Sequence, residues 1–133
     1  MIFKDEGKSN RGAAAEKYAQ RYLTAQHLKI ITTNYLTPRG ELDIIARDAD
    51  TLVFVEVRLR SHHQFGSAAD SINHRKQQRI IYAAKHYLQT NNLWDKVNCR
   101  FDALCLSPYS GNPNADNHHQ YQVEWIRNAF SAS

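Results

Sequence analysis

Long apolar runs and cysteines are the two features that this sequence most clearly lacks. No stretch approaches 18 consecutive apolar residues, so we expect no transmembrane helix and no membrane association. The start of the chain, MIFKDEGKSNRG, has no apolar segment of the kind found in secretory signals. The only cysteines, Cys99 and Cys105, do not form a CxxC motif, which favours a reduced, cytoplasmic protein.

Two motif classes are also missing. The sequence contains no phosphate-binding glycine loop and no serine or cysteine nucleophile motif. If the protein is an enzyme, its chemistry must therefore come from other side chains.

The length of 133 residues fits a single domain over residues 1–133, with a polar and flexible segment at 1–9. Lys and Arg outnumber Asp and Glu by 17 to 13, which gives a net charge of +4. Such an excess permits a nucleic-acid partner but does not require one.

Hydrophobic periodicity predicts helices separated by groups of strands. The predicted segments are a helix at 10–27, strands at 28–36, 41–47 and 51–60, a polar loop at 61–69, a helix at about 70–89, a strand at 99–107, a long polar loop at 108–120, a last strand from Tyr121 and a terminal turn at 127–130. The order αβββαββ predicts an α/β fold, in which a mixed β-sheet is flanked by helices. The nearly continuous apolar run LVFVEV predicts a central strand that is covered on both faces.

Two carboxylates interrupt the apolar pattern of adjacent predicted strands. Asp43 lies within GELDIIA and Glu56 within FVEV. A symmetric hairpin that pairs Asp48 with Thr51 brings Asp43 opposite Glu56, with Cβ atoms roughly 4.5–5.5 Å apart, where like charges repel. A divalent cation between them would relieve that repulsion, and oxygen ligands favour Mg²⁺ or Mn²⁺. A register slip of one residue would instead place the two acids on opposite faces of the sheet.

Three further charged residues are predicted to point inward. Arg58 lies two residues beyond Glu56 and so shares its face. Glu16 lies on the apolar stripe of the first helix, and Lys76 on that of the second. Together these residues predict a catalytic site in which carboxylates hold a metal ion, and cations stabilise the charge that develops on a phosphate.

Structural interpretations remain open for each of these residues. Glu56 and Arg58 can form ion pairs on a solvated sheet face. Glu16 can pair with Arg11 or Lys17 on a solvated helix face. Lys76 can extend its aliphatic stem over apolar surface.

Basic residues near the predicted site indicate a nucleic-acid surface. The candidates for phosphate contacts are Arg58, Arg60, Arg75, Lys76 and Arg79. A solvated helix face explains the members on the second helix equally well.

The sequence resembles the YraN-like family of small bacterial proteins, whose fold belongs to the restriction-endonuclease-like, PD-(D/E)XK superfamily. The resemblance runs from Gly12 to Phe130. Its most specific part is the pair Gly40-Glu41-Leu42-Asp43-Ile44-Ile45 and Val53-Phe54-Val55-Glu56-Val57. Further matches are Gly12-x-x-x-Glu16, Asn34, Lys76, Arg79, Arg100-Phe101-Asp102 and Asn128-Ala129-Phe130.

The resemblance implies that Asp43 and Glu56 bind the metal ion and that Glu16 matches a helical glutamate of resolvase-like members. The superfamily usually has lysine two residues after the glutamate, and this chain has Arg58. Arginine stays protonated and cannot act as a general base. Lys76 can supply an ammonium group instead.

The resulting hypothesis is a Mg²⁺- or Mn²⁺-dependent endonuclease that hydrolyses phosphodiester bonds in branched DNA. By analogy with Holliday-junction resolvases it is expected to act as a homodimer. The alternatives are a non-catalytic nucleic-acid-binding module with the same fold, and a structural adaptor.

Overall fold

The computed structural model describes residues 10–60, 72–109 and 121–132 of the chain, and within the first helix it describes side chains from residue 12 onward. The elements are α1 (Asn10–Ala25), β1 (Lys29–Thr37), β2 (Gly40–Asp48), β3 (Thr51–Leu59), α2 (His74–Thr90), β4 (Asn98–Pro108) and β5 (Tyr121–Phe130). The predicted order αβββαββ is confirmed. No helix in the described part of the chain is long and apolar enough to cross a membrane.

The five strands form one mixed sheet in the order β1-β2-β3-β4-β5. The strand β3 lies in the middle, antiparallel to β2 and parallel to β4. A parallel neighbour requires a crossover connection, and α2 lies within that connection. The prediction that LVFVEV is central is confirmed.

Both faces of the sheet are covered, because successive residues of β3 point to opposite sides. Val53 and Val55 belong to an apolar cluster with Ala19 and Leu23 of α1. Phe54 belongs to a second cluster with Tyr87 of α2. The helices therefore lie on opposite faces of the sheet.

The helix α2 begins later than the sequence predicted. It starts at His74 rather than near residue 70, because Asn73 adopts an extended conformation and its side chain caps the helix. The Lys76 amide donates to Asn73 Oδ1 over 2.8 Å. Ile72, predicted to lie on the helix, is buried just before it. Residues 70–71 and the predicted loop 61–69 lie outside the described residues.

The predicted terminal turn at 127–130 is wrong. The strand β5 continues through these residues, and Phe130 pairs with Phe101 of β4. Their rings stack with centroids 4.9 Å apart. The predicted flexible segment 1–9 and most of the predicted loop 108–120 lie outside the described residues.

The turn between β1 and β2 packs directly against α2. A Cβ atom on Gly40 would collide with the main-chain oxygen of Arg79. Only glycine permits so close an approach, so Gly40 allows the start of β2 to pack against α2.

A buried carboxylate on β4 connects this strand to β5 and, through a neighbouring arginine, to the end of β2. Asp102 of β4 is fully buried and accepts hydrogen bonds from the side chains of Arg100 and Trp125 and from the main chain of Asn128, at 3.0–3.2 Å. Arg100 also forms an ion pair with Asp48 at 2.9 Å. This network joins the β2–β3 turn to β4 and β5.

We expect Asp102→Asn to destabilise the protein by about 3 kcal/mol or more, because it leaves the Arg100 guanidinium without its buried anion. Urea unfolding followed by circular dichroism measures the change. As a control, Asp50→Asn alters an exposed acid and should change the free energy of unfolding by about 0.5 kcal/mol or less. Equal effects of the two substitutions would contradict a stabilising role for this network.

Candidate functional site

The side chain of Glu56 lies inside the protein, on the face of β3 that α2 covers. It follows Phe54 by two positions, so the two side chains share that face. Only 6% of its surface is exposed. The interpretation of Glu56 as part of a solvated sheet face is therefore wrong.

Asp43 approaches Glu56 from the neighbouring strand. The predicted hairpin register is confirmed from Asp48–Thr51 to Ile44–Val55, where the ladder of paired residues ends, one pair before Asp43 and Glu56. Beyond that point, Asp43 Oδ2 accepts a hydrogen bond from the Val57 amide over 2.9 Å. The carboxylate thus takes the place of a main-chain acceptor where the two strands part.

Two cations reach the same oxygen of Glu56 from different elements. Lys76 Nζ of α2 lies 3.6 Å from Glu56 Oε1, and Arg58 Nη1 of β3 lies 3.9 Å from it. The Lys76 and Arg58 side chains are 38% and 32% exposed, so both also reach solvent. They connect the buried acid to the surface and offer positive charge to an anionic ligand.

The environment of Glu56 raises the pKa of its carboxyl from 4.5 to about 8. Burial is the largest cause, and the negative charge of Asp43 is the second. Lys76 and Arg58 act in the opposite direction but do not cancel these effects. Without another cation, the site therefore favours a protonated Glu56 at neutral pH.

The raised pKa of Glu56 and its repulsion from Asp43 show that the two acids suit a divalent cation. A cation bound between them would replace the proton on Glu56 and relieve the repulsion between the two acids. No three His, Cys, Asp or Glu side chains gather into a metal-binding group within the described residues. Mg²⁺ commonly uses only one or two carboxylates, together with water and substrate phosphates, so a pair of acids suffices.

Glu16 is also buried, with 8% of its surface exposed, so the interpretation as a solvated helix residue is wrong. It lies next to Ala15 and three residues before Ala19, both of which pack on the sheet face opposite α2. The structure thus does not gather Glu16 with Asp43 and Glu56 into a three-acid cluster.

The other predicted nucleic-acid contacts lie apart from Glu56. The Arg60 amide donates to the Leu106 carbonyl over 2.8 Å, at the β3–β4 boundary. Arg75 and Arg79 line a surface groove on α2. Only Arg58 and Lys76 of this predicted group form ion pairs with Glu56.

The same groove contains basic and aromatic residues that were not predicted to belong to a site. Tyr82 and Lys85 follow Arg79 at successive intervals of three residues, a helical spacing that could have revealed them. Arg39 comes from the β1–β2 turn, and no local pattern connects it to α2.

A cavity of about 880 Å³ lies near the opposite end of β3. It is lined around the β2–β3 turn by Arg47, Asp50 and Leu52, and on its far side by Lys29 and Lys96. None of the site residues predicted from the sequence is among the described residues that line it. We place the candidate site at Glu56, because perturbed acid–base chemistry indicates function better than cavity volume alone.

The fold and this site define a small mixed α/β protein with a buried carboxylate pair beside two cations. The family model described as uncharacterised protein family UPF0102 matches residues 15–106, and the chain belongs to this family. It is 40% identical over 128 residues to a UPF0102 protein of Pseudomonas fluorescens, covering 96% of this chain and 98% of the relative.

Two further relatives show similar coverage. A UPF0102 protein of Nitrosospira multiformis is 44% identical over 123 residues, covering 92% of this chain and 94% of the relative. One of Psychromonas ingrahamii is 44% identical over 125 residues, covering 94% and 93%. The family resemblance inferred from the sequence is thus confirmed.

The raised pKa of Glu56 predicts a pH-dependent stability. The folded protein holds this proton up to about pH 8, whereas the unfolded chain releases it near 4.5. The stabilisation is therefore complete below the unfolded value and is lost as the pH rises toward 8, by about 1.4 kcal/mol per unit of pKa difference.

Glu56→Gln mimics the protonated side chain and should remove this contribution. We expect the free energy of unfolding of the wild type, relative to this variant, to fall between about pH 5 and pH 9. Denaturant titrations at several pH values measure it, and Asp95→Asn, an exposed acid, serves as the control. Parallel pH profiles for wild type and Glu56→Gln would show that Glu56 titrates normally.

Proposed function

We propose that this protein is a metal-dependent endonuclease-like hydrolase that cleaves phosphodiester bonds in branched DNA in the cytoplasm. The observation that carries the proposal is the environment of Glu56. This buried carboxyl lies beside a second acid and within 3.6–3.9 Å of two cations from different elements. A buried, strongly perturbed group with specific charged neighbours is typical of a functional site.

Asp43 and Glu56 are the residues that would hold a Mg²⁺ or Mn²⁺ ion. Such an ion, when bound, polarises a phosphoryl oxygen and favours ionisation of water. The free thiols of Cys99 and Cys105 are consistent with a reducing compartment.

Arg58 and Lys76 would bind the phosphate oxygens and stabilise the negative charge that grows on them during the reaction. In the hydrolysis, the oxygen of water bonds to phosphorus and one P–O ester bond breaks. One proton of the water passes through solvent to the departing oxygen, and the other stays on the new phosphate. Arg58 cannot remove the proton from water, because guanidinium does not release its own proton. Lys76 supplies the ammonium group that the superfamily pattern places two residues after the glutamate.

Branched DNA is proposed as the substrate from the resemblance to junction-resolving enzymes. A four-way junction has two symmetric cleavage points, so the proposal includes a homodimer with one site for each point. Glu16 enters the proposal as a supporting acid on α1.

A non-catalytic nucleic-acid-binding module is the second candidate. The observation that favours it is Arg58, which stands where the superfamily usually has a lysine, two residues after the glutamate. The same cations would then bind phosphate without hydrolysis.

The first test is cleavage of labelled junction, flap and duplex DNA in Mn²⁺ or Mg²⁺. We expect Glu56→Gln and Asp43→Asn to abolish cleavage, and Lys76→Met to reduce the rate by about 10²–10³-fold, as the loss of a charge-stabilising donor does elsewhere. Asp95→Asn, an exposed acid, should cleave at the wild-type rate. Glu16→Gln tests whether α1 contributes.

Each alternative has its own outcome in this assay. Cleavage that persists unchanged in Glu56→Gln would indicate a contaminating nuclease and contradict the proposal. Junction binding without cleavage would favour the binding module. Absence of DNA binding at low salt would favour the adaptor.

Metal binding can be tested without catalysis. Because Glu56 holds a proton near neutral pH, binding of Mn²⁺ at this site should release about one proton. Calorimetric titrations in buffers of different ionisation enthalpy measure that release. We expect Mn²⁺ also to raise the unfolding temperature of the wild type.

Glu56→Gln and Asp43→Asn should lose both effects of Mn²⁺, whereas Asp95→Asn should retain them. Equal Mn²⁺ binding by the wild type and Glu56→Gln would place the ion elsewhere in the protein.

A further inference from the structure

The exposed side of α2 forms a groove of about 390 Å³ in which every charged residue of the described lining is basic. Its described lining contains no Asp or Glu and consists of Arg39, Arg75, Gln78, Arg79, Ile81, Tyr82 and Lys85. The larger cavity near the other end of β3 differs, because Asp50 and Asp95 accompany its cations. Four cations of a protein with a net charge of only +4 are thus concentrated in one place.

Two parts of the fold build this groove. The close approach of Gly40 to the Arg79 main chain brings the β1–β2 turn against α2. As a result, the Arg39 guanidinium lies over the Tyr82 ring, 5.3 Å from its centre. A cation at this distance is attracted by the ring face and is held in position.

The composition of α2 also suits an anionic ligand. The sequence from His74 to Thr90 contains no acidic residue, and its first turn contains Arg75 and Lys76. The helix dipole favours anions at this end, so cations here reduce the stability of the helix unless an anion balances them. The Lys76 ammonium lies 3.6 Å from Glu56 Oε1, whereas a bound phosphate would balance Arg75.

We infer that this groove, from Arg75 to Lys85, binds the sugar–phosphate backbone of a single-stranded nucleic-acid segment. A basic groove that contains an aromatic platform is the arrangement by which proteins bind single strands, because every base can stack on a ring or on a guanidinium plane. The platform here is the Tyr82 ring with the Arg39 guanidinium over it.

The length of the groove fits a few nucleotides. Arg75 and Lys85 are ten residues apart on the helix, which corresponds to about 15 Å along the helix axis. About four phosphates of a stacked strand occupy this length, at roughly 3.4 Å each. The groove supplies about one cation for each of them.

The inference rests on the proposed function in one respect, namely that the bound strand continues toward the site at Glu56. Lys76, which contacts Glu56, is adjacent to Arg75 and three residues before Arg79 on the same helix. A strand held along the groove therefore extends toward the carboxylate site. The substrate class is then DNA with a single-stranded segment beside the branch.

The test is binding of a fluorescent single-stranded DNA of about 8 nucleotides, which covers the roughly four of the groove with a margin at each end, measured by anisotropy in EDTA. We expect Arg79→Ala combined with Lys85→Ala to weaken binding. We also expect it to reduce the slope of log K against log salt concentration by about 1.4, because each lost phosphate contact contributes about 0.7 for a single strand. Both side chains are exposed, so the variant should keep the wild-type fold.

The matched control is Lys29→Ala combined with Lys96→Ala, which removes the same charge from the cavity near the other end of β3. Its affinity and salt slope should remain close to the wild-type values. An equal loss in both double variants would overturn the inference, because it would show that only net charge matters.

A second pair of variants tests the aromatic platform. Tyr82→Leu should weaken binding by about 5- to 150-fold, the range expected for the loss of one stacking contact, whereas Tyr82→Phe keeps the ring and should bind like the wild type. Equal binding of single-stranded and duplex DNA, with no effect of Tyr82→Leu, would overturn the assignment to single strands.

The binding assay and the nuclease assay can fail separately. Oligonucleotide binding that depends on the groove, with no cleavage by any form of the protein, would support the groove and contradict the nuclease. Cleavage that depends on Glu56, with unchanged binding by the groove variants, would support the nuclease and overturn the groove.

Discussion

The burial of Glu56 in the central strand is the constraint from which the rest of the site follows. A buried carboxyl must either keep its proton or face positive charge, and Asp43 nearby makes ionisation still less favourable. Lys76 and Arg58 offset part of that cost from the side that reaches solvent. With a pKa of about 8, Glu56 is near the point where its protonated and ionised forms have equal free energy. A bound cation would therefore readily shift it to the ionised form.

A third buried acid in the same sheet, Asp102, shows that burial alone does not identify a site. Asp102 is even less exposed than Glu56, yet its oxygens accept hydrogen bonds from Arg100, Trp125 and Asn128. With its hydrogen-bonding capacity filled from three directions, it has a structural role. Glu56 differs because its charged neighbours lie at ion-pair distances of 3.6–3.9 Å and reach the surface.

The helix α2 connects the core, the site and the surface of the protein. Its inner face packs Tyr87 and Ile80 against the sheet, its first turn presents Lys76 to Glu56, and its outer face carries the basic groove. The Asn73 cap fixes where the helix begins and therefore where Lys76 stands. Because one helix holds all three, a change in its packing would move Lys76 and the basic groove together.

The amino-acid pattern was enough to predict the order of the elements, the central position of β3 and the register of the β2–β3 hairpin. These properties depend on periodicity and on a short turn, which act between residues close in the chain. Tertiary packing sets the start of α2 and the extension of β5 through Phe130, and it buries Glu16 and Glu56, for which the sequence left a solvated position open. It also decided the meeting of Arg39 with Tyr82, because contacts between distant segments depend on how the helices and turns pack against the sheet, which no local pattern records.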